Sequence, residues 1–70
     1  MWIRSQDRKI LTEIHNLDID DINQIYDCSS LLGKYSSEEK ALLVLDMIEK
    51  VSMYPGNTLF QMPADDEVEA

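Results

Sequence analysis

The chain predicts an α+β fold: a small antiparallel β-sheet of about four to five strands, one C-terminal amphipathic helix over about 37–51 packed on one face, and a short final strand. Three features carry that expectation. The first six residues alternate at period two, β-branched runs recur through the first half, and Ser36-Ser37-Glu38-Glu39 opens an apolar stripe of helical period.

Alternation in Met1–Gln6 places Trp2, Arg4 and Gln6 on one face of a strand and Met1, Ile3 and Ser5 on the other. Asp7-Arg8-Lys9 reads as a turn, after which Ile10, Thr12 and Ile14 share one face of a second strand. Leu17–Cys28 fits two periods. Leu17 and Ile19 alternate with Asp18 and Asp20, whereas Ile19, Ile22, Ile25 and Tyr26 recur at helical spacing. Strands broken at Asp20-Asp21 are favoured, because Asp and Asn side chains supply turn hydrogen bonds. Gln24–Cys28 then pairs with Leu31–Tyr35 through a bend at Ser29-Ser30, and Gly33 marks a bulge or a close backbone approach.

Ser36 is expected to cap the helix reciprocally with Glu39. Ala41, Val44, Leu45, Ile48 and Val51 form its apolar stripe, opposite Glu39, Asp46 and Lys50. Pro55-Gly56-Asn57 stops it, and Thr58–Met62 reads as the final strand, closed by Pro63. Residues 1–63 are expected to form one domain and 64–70 an acidic, disordered tail.

Seventy residues carry a formal charge of −8, but four of the fourteen acids lie in the last six positions, which leaves residues 1–64 at −4. Direct nucleic-acid binding and anionic membranes are therefore disfavoured. A single cysteine, Cys28, rules out an intramolecular disulfide, and with His15 as the only histidine a closed zinc site is not expected. Self-association as a homodimer is the remaining route to more apolar burial. Met1–Lys9 lacks a signal-peptide pattern and Ala41–Leu45 is too short to span a bilayer, so a soluble, cytoplasmic setting is expected.

No catalytic site is expected. Cys28 and His15 lie in no nucleophile signature, and two glycines cannot build a phosphate loop or serine elbow. Asp18, Asp20 and Asp21 have the oxygen chemistry of a hard-cation site, but a calcium loop would need Asp or Asn at 22 and Gly at 23. A solvated turn accounts for them. No cofactor is implied. Trp2, Arg4 and Gln6 offer a stacking surface, a guanidinium and an amide suited to a nucleotide or an anionic partner. The competing reading places Trp2 in the core of an edge strand and pairs Arg4 with an acid. Helical projection sets Leu43 about 120° from the centre of the stripe and Met47 on its shoulder. Partly exposed apolar groups there mark a contact surface, whereas the competing reading has the end strand or the Met53-Tyr54 segment cover them.

Met1–Asp7, Leu32–Leu42 with the following Val44-Leu45-Asp46, and Phe60-Gln61-Met62-Pro63 together resemble a family of short uncharacterised proteins from low-GC Gram-positive bacteria and their phages and prophages. The likeness covers about half of the chain and leaves out Leu11–Ser30. What it implies is a setting in which accessory proteins bind and block host machinery. The expected function is a small protein-interaction module with an unknown protein partner, contacted through its sheet or the Leu43 and Met47 side of its helix. The alternative is a phage-encoded inhibitor of bacterial defence, either a nucleic-acid mimic or a binder of a nucleotide signal.

Overall fold

A computed structural model describes residues 1–54, 56 and 59–69. The chain is α+β, with six strands and one α-helix among these residues: β1 Trp2–Arg4, β2 Leu11–Glu13, β3 Leu17–Ile19, β4 Gln24–Asp27, β5 Ser30–Lys34, α1 Glu38–Ser52 and β6 Leu59–Gln61. A 3-10 turn, Asp65–Glu67, follows. Of the residues expected to end the helix, Pro55 and Asn57 lie outside the described residues, as does Thr58 at the expected start of the last strand.

The single sheet expected from the sequence is instead two sheets of three strands, ordered β2-β1-β6 and β3-β4-β5. The break falls between β2 and β3. There the His15 and Asn16 amides donate to the two carboxylate oxygens of buried Asp27, each at 3.1 Å, so these donors leave the first ladder and the chain begins a second. Nor is the first sheet wholly antiparallel, because β6 pairs with β1 in parallel. Period-two alternation reads the same in either strand direction, so the residue pattern carries no sign of this.

In the second sheet β4 and β5 meet around a two-residue turn, Cys28-Ser29, with Asp27 opposite Ser30. This corrects the expected bend at Ser29-Ser30, and it puts Cys28, expected at the end of the strand, in the turn at φ 56° and exposed. Leu17–Cys28 is β3, a turn and β4, not helix. Asp20 holds that turn by accepting from the Ile22 and Gln24 amides at 3.0 and 2.8 Å, which supports Asn23 at φ 63°. Register slips by one residue between Ile25 and Tyr26, so Leu32 bulges beside Gly33.

Helix α1 lies mid-chain, with β6 after it. Its cap is Ser37, whose Oγ accepts from the Lys40 amide at 3.1 Å. Ser36 does not cap, because its own amide donates to Asp65 at 2.8 Å. Ala41, Val44 and Ile48 are buried, while Leu45 and Val51 flank them. They share one core with Ile3 and Phe60 of the first sheet, Ile25 and Leu32 of the second, and Tyr35, Met62 and Val68. Apolar burial of this kind contributes roughly 25 cal/mol per Å².

Residues 64–69 are part of this body rather than a free acidic tail. Val68 is 6% exposed, Asp65 receives the Ser36 amide, and Lys40 Nζ lies 3.0 Å from the Asp65 carbonyl and 3.6 Å from its carboxylate. Charge composition alone points to disorder, but one buried valine and a fixed carboxylate anchor the segment. Ala70 lies outside the described residues.

Candidate functional site: the outer face of the first sheet

Strand β1 is central, with hydrogen bonds on both sides. Ser5 donates its amide to the Ile10 carbonyl and Ile14 donates to Met1, which makes Ile3 and Thr12 a hydrogen-bonded pair. Trp2–Glu13 and Arg4–Leu11 are then the close, non-hydrogen-bonded pairs. On the other side Met62 donates to the Arg4 carbonyl, and register sets Trp2 beside Leu59 and Arg4 beside Gln61.

Alternation divides this sheet cleanly. The row Thr12, Ile3, Phe60 faces inward, with Ile3 fully buried. Two rows face outward: Glu13, Trp2, Leu59 and Leu11, Arg4, Gln61. Trp2, Leu11 and Leu59 remain 44%, 52% and 55% exposed, and with Arg4 they line a shallow depression of about 320 Å³. Three large apolar side chains gathered on one open face are more than the isolated exposures common to protein surfaces.

Arg4 is the one cation within this patch. No carboxylate lies within ion-pairing distance of it among the described residues, and its Nε is shielded from water with no acceptor. The pairing of Arg4 with an acid, and the placing of Trp2 in the core of an edge strand, are both overturned. The turn beside Arg4 is fixed: buried Ser5 donates its hydroxyl to Asp7 and accepts from the Ile10 amide, and Asp7 also accepts from the Lys9 amide. These donors hold the Asp7 carboxyl below its ordinary value. Arg8 turns the chain at φ 70°.

Gln6 does not belong to the patch. Its Nε2 donates to the Lys34 and Pro63 carbonyls at 3.0 and 3.2 Å, while Oε1 accepts from the Lys34 amide at 3.0 Å. With the amide engaged at both ends, its role is to join the two sheets. Leu43 and Met47 stay neighbours one turn apart on α1 but differ in exposure: Leu43 is half-buried against the core and Met47 is 42% exposed. Leu42, at 47%, lies on the opposite flank of the helix from Met47. Sequence reading missed Leu11 and Leu59 as site residues, because each is an ordinary strand residue until register sets it beside Arg4 or Trp2.

Cys28 and His15 are both neighbours of Asp27, with His15 Nδ1 at 3.8 Å. Desolvation and a hydrogen bond to Asp27 push the Cys28 thiol up, the reverse of what activates a nucleophile. At Asp27 itself, burial raises the carboxyl but the Asn16 and His15 amides outweigh it, leaving it below the ordinary value. Among the described residues no three His, Cys, Asp or Glu side chains converge as a metal site would. No helix among them is long and apolar enough to cross a membrane.

Fold and surface together define a class: a small α+β protein with one unpartnered, aromatic-centred sheet face. Comparison with protein-family models, curated proteins and solved structures finds no match to this chain.

Proposed function

We propose that the chain is a small non-enzymatic protein-interaction module, of the phage or prophage accessory kind that its terminal and helix motifs resemble. It binds its partner through the outer face of the first sheet. The observation that carries this is the grouping of Trp2, Leu11 and Leu59 around Arg4, which has no ionic partner among the described residues, on a face that no part of the described chain covers. Trp and Arg are the residue types that most often dominate binding energy at interfaces. The helix side is the weaker surface, since Leu43 is already committed to the core.

Inhibition of bacterial defence by capture of a nucleotide signal is a second reading, favoured by Trp2 and Arg4 lying two residues apart on the same outward face of β1 and lining one depression. Nucleic-acid mimicry is less favoured, since four of the fourteen acids, Asp7, Asp20, Asp27 and Asp65, are engaged in accepting hydrogen bonds from the chain's own amides rather than set out as a duplex-like row.

The test compares proteins retained from host lysate by the wild type, by Leu11→Lys/Leu59→Lys and by Met47→Lys, each first shown to unfold at the wild-type temperature. Loss of the captured protein in the sheet variant alone supports the reading. An identical captured set in all three, or none with the wild type, overturns it. A nucleotide that raises the wild-type melting temperature but not that of Arg4→Ala would establish the second reading instead.

A further inference from the structure

The patch is small, polarised and basic at one end, and these properties define what fits it. Three strands spaced about 4.8 Å apart and three residues of about 3.3 Å each give a face of roughly 10 by 15 Å. That footprint, on the order of 150 Å² in projection, is far below the roughly 800 Å² per partner of a standard protein–protein interface. A second copy of this chain or another domain pressed on the face would leave most of such an interface unmade. A short extended segment would be fully served by it.

Charge then selects the segment. Residues 1–10 hold three bases, Arg4, Arg8 and Lys9, and one acid, Asp7, whereas the remaining sixty residues hold three bases and thirteen acids. The first hairpin is thus a local positive end on a strongly negative molecule. Asp7 is itself tied to Ser5 and Lys9, and Arg4 has no ionic partner among the described residues. Glu13 sits on the far row beside Trp2, so the positive pole lies toward the turn and the apolar surface extends across Trp2 and Leu59. An extended polyanion would run beyond this pole onto acidic surface and be repelled. A short segment with one or two carboxylates next to an apolar side chain meets only the favourable part, with its carboxylate on the Arg4 guanidinium.

We propose, building on the interaction-module reading, that the outer face of the first sheet captures a short acidic–apolar peptide segment of its partner, with Arg4 as the carboxylate anchor and Trp2, Leu11 and Leu59 as the apolar floor.

Trp2 is the only tryptophan, so its fluorescence reports directly on the site. The experiment selects peptides from a random dodecamer library on the immobilised full chain. The selected peptides are then titrated against wild type, Arg4→Ala, Leu59→Lys and Met47→Lys, each checked for wild-type thermal unfolding. The expected winners place Asp or Glu beside an apolar residue and shift Trp2 emission. They bind Arg4→Ala and Leu59→Lys about tenfold or more weakly, as interface hot-spot residues do, and Met47→Lys unchanged. Winners that lack acids and bind Arg4→Ala as well as wild type, yet fail on Leu59→Lys, overturn the acidic occupant while leaving the face as an interface. Winners indifferent to Leu59→Lys, or no winners, overturn both.

Discussion

Gln6, in the turn that follows β1, and Lys34, at the end of β5, are joined by a two-way hydrogen bond, the Gln6 side-chain amide both donating to and accepting from the Lys34 backbone at 3.0 Å. The Gln6 backbone amide also donates to the Leu32 carbonyl at 2.6 Å. One residue thereby closes the end of β1 against the edge of β5. Gln6→Ala is expected to lower stability by about 1 kcal/mol in urea unfolding, because it removes the hydrogen bonds with the Lys34 carbonyl and amide and one, partly shielded from water, to the Pro63 carbonyl. Gln6→Glu should also destabilise, since a carboxylate cannot donate to those carbonyls. Unchanged midpoints for both would remove the bridge from the account of stability.

Asp27 predicts how stability depends on acid. Its carboxyl titrates lower in the folded chain than the ordinary 3.8, so the folded state binds fewer protons there than the unfolded state. The stabilisation is complete above that ordinary value and is lost as pH falls from it toward the lower folded one. Asp7 and Asp65 act in the same direction. Asp27→Ala should lower stability by about 2 kcal/mol at neutral pH by leaving the His15 and Asn16 amides without their acceptor. It should also flatten the acid limb of the stability curve, as urea unfolding across pH would show.

Gly33 is required for space rather than for an unusual backbone angle. A Cβ there would stand 3.0 Å from Tyr35 Cε2, 3.2 Å from its hydroxyl and 3.3 Å from Met62 Cε. The Tyr35 ring cannot simply swing away, because its hydroxyl donates to the Pro63 carbonyl at 2.8 Å. Gly33→Ala is therefore expected to lower stability by about 1–3 kcal/mol through overpacking. Combining it with Tyr35→Phe should give less than the sum of the separate effects, a coupling that a double-mutant cycle measures.

Removal of residues 65–70 should lower the thermal midpoint, since it exposes core that Val68 covers and frees the Ser36 amide. Val68→Ala alone should account for about 1–2 kcal/mol of that loss. A truncated chain as stable as the full one would show that the acidic segment contributes nothing to the core.

Trp2 and Ile3 show why so much local structure was legible. In a strand, neighbours must point to opposite faces, so once Ile3 is inward Trp2 is outward, and the positions of both follow from order alone. The same holds for Ala41, Val44 and Ile48, which any helix over this segment stacks on one side. The site was half legible: Trp2 and Arg4 share the expected face, but Gln6 at the next alternate position is drawn away by Lys34 and Pro63. Leu11 and Leu59 join the patch only through registers set by residues far away in the chain.

Whereas Leu17–Cys28 fits two periods until β3 and β4 pair, local order by itself determined the strand segments of Met1–Gln6 and Ile10–Ile14, the face of α1 and the inward and outward sides of β1. These depend on backbone period and on side chains a few positions apart, where chain connectivity leaves little freedom. Tertiary contacts alone decided the split into two sheets, the parallel direction of β6, the shift of the helix cap to Ser37 and the anchoring of Asp65 and Val68. Each of those choices is made by hydrogen bonds or burial between distant residues, as with Asp27 and Asn16 or Asp65 and Ser36, whose free energy exists only once the chain has folded back on itself.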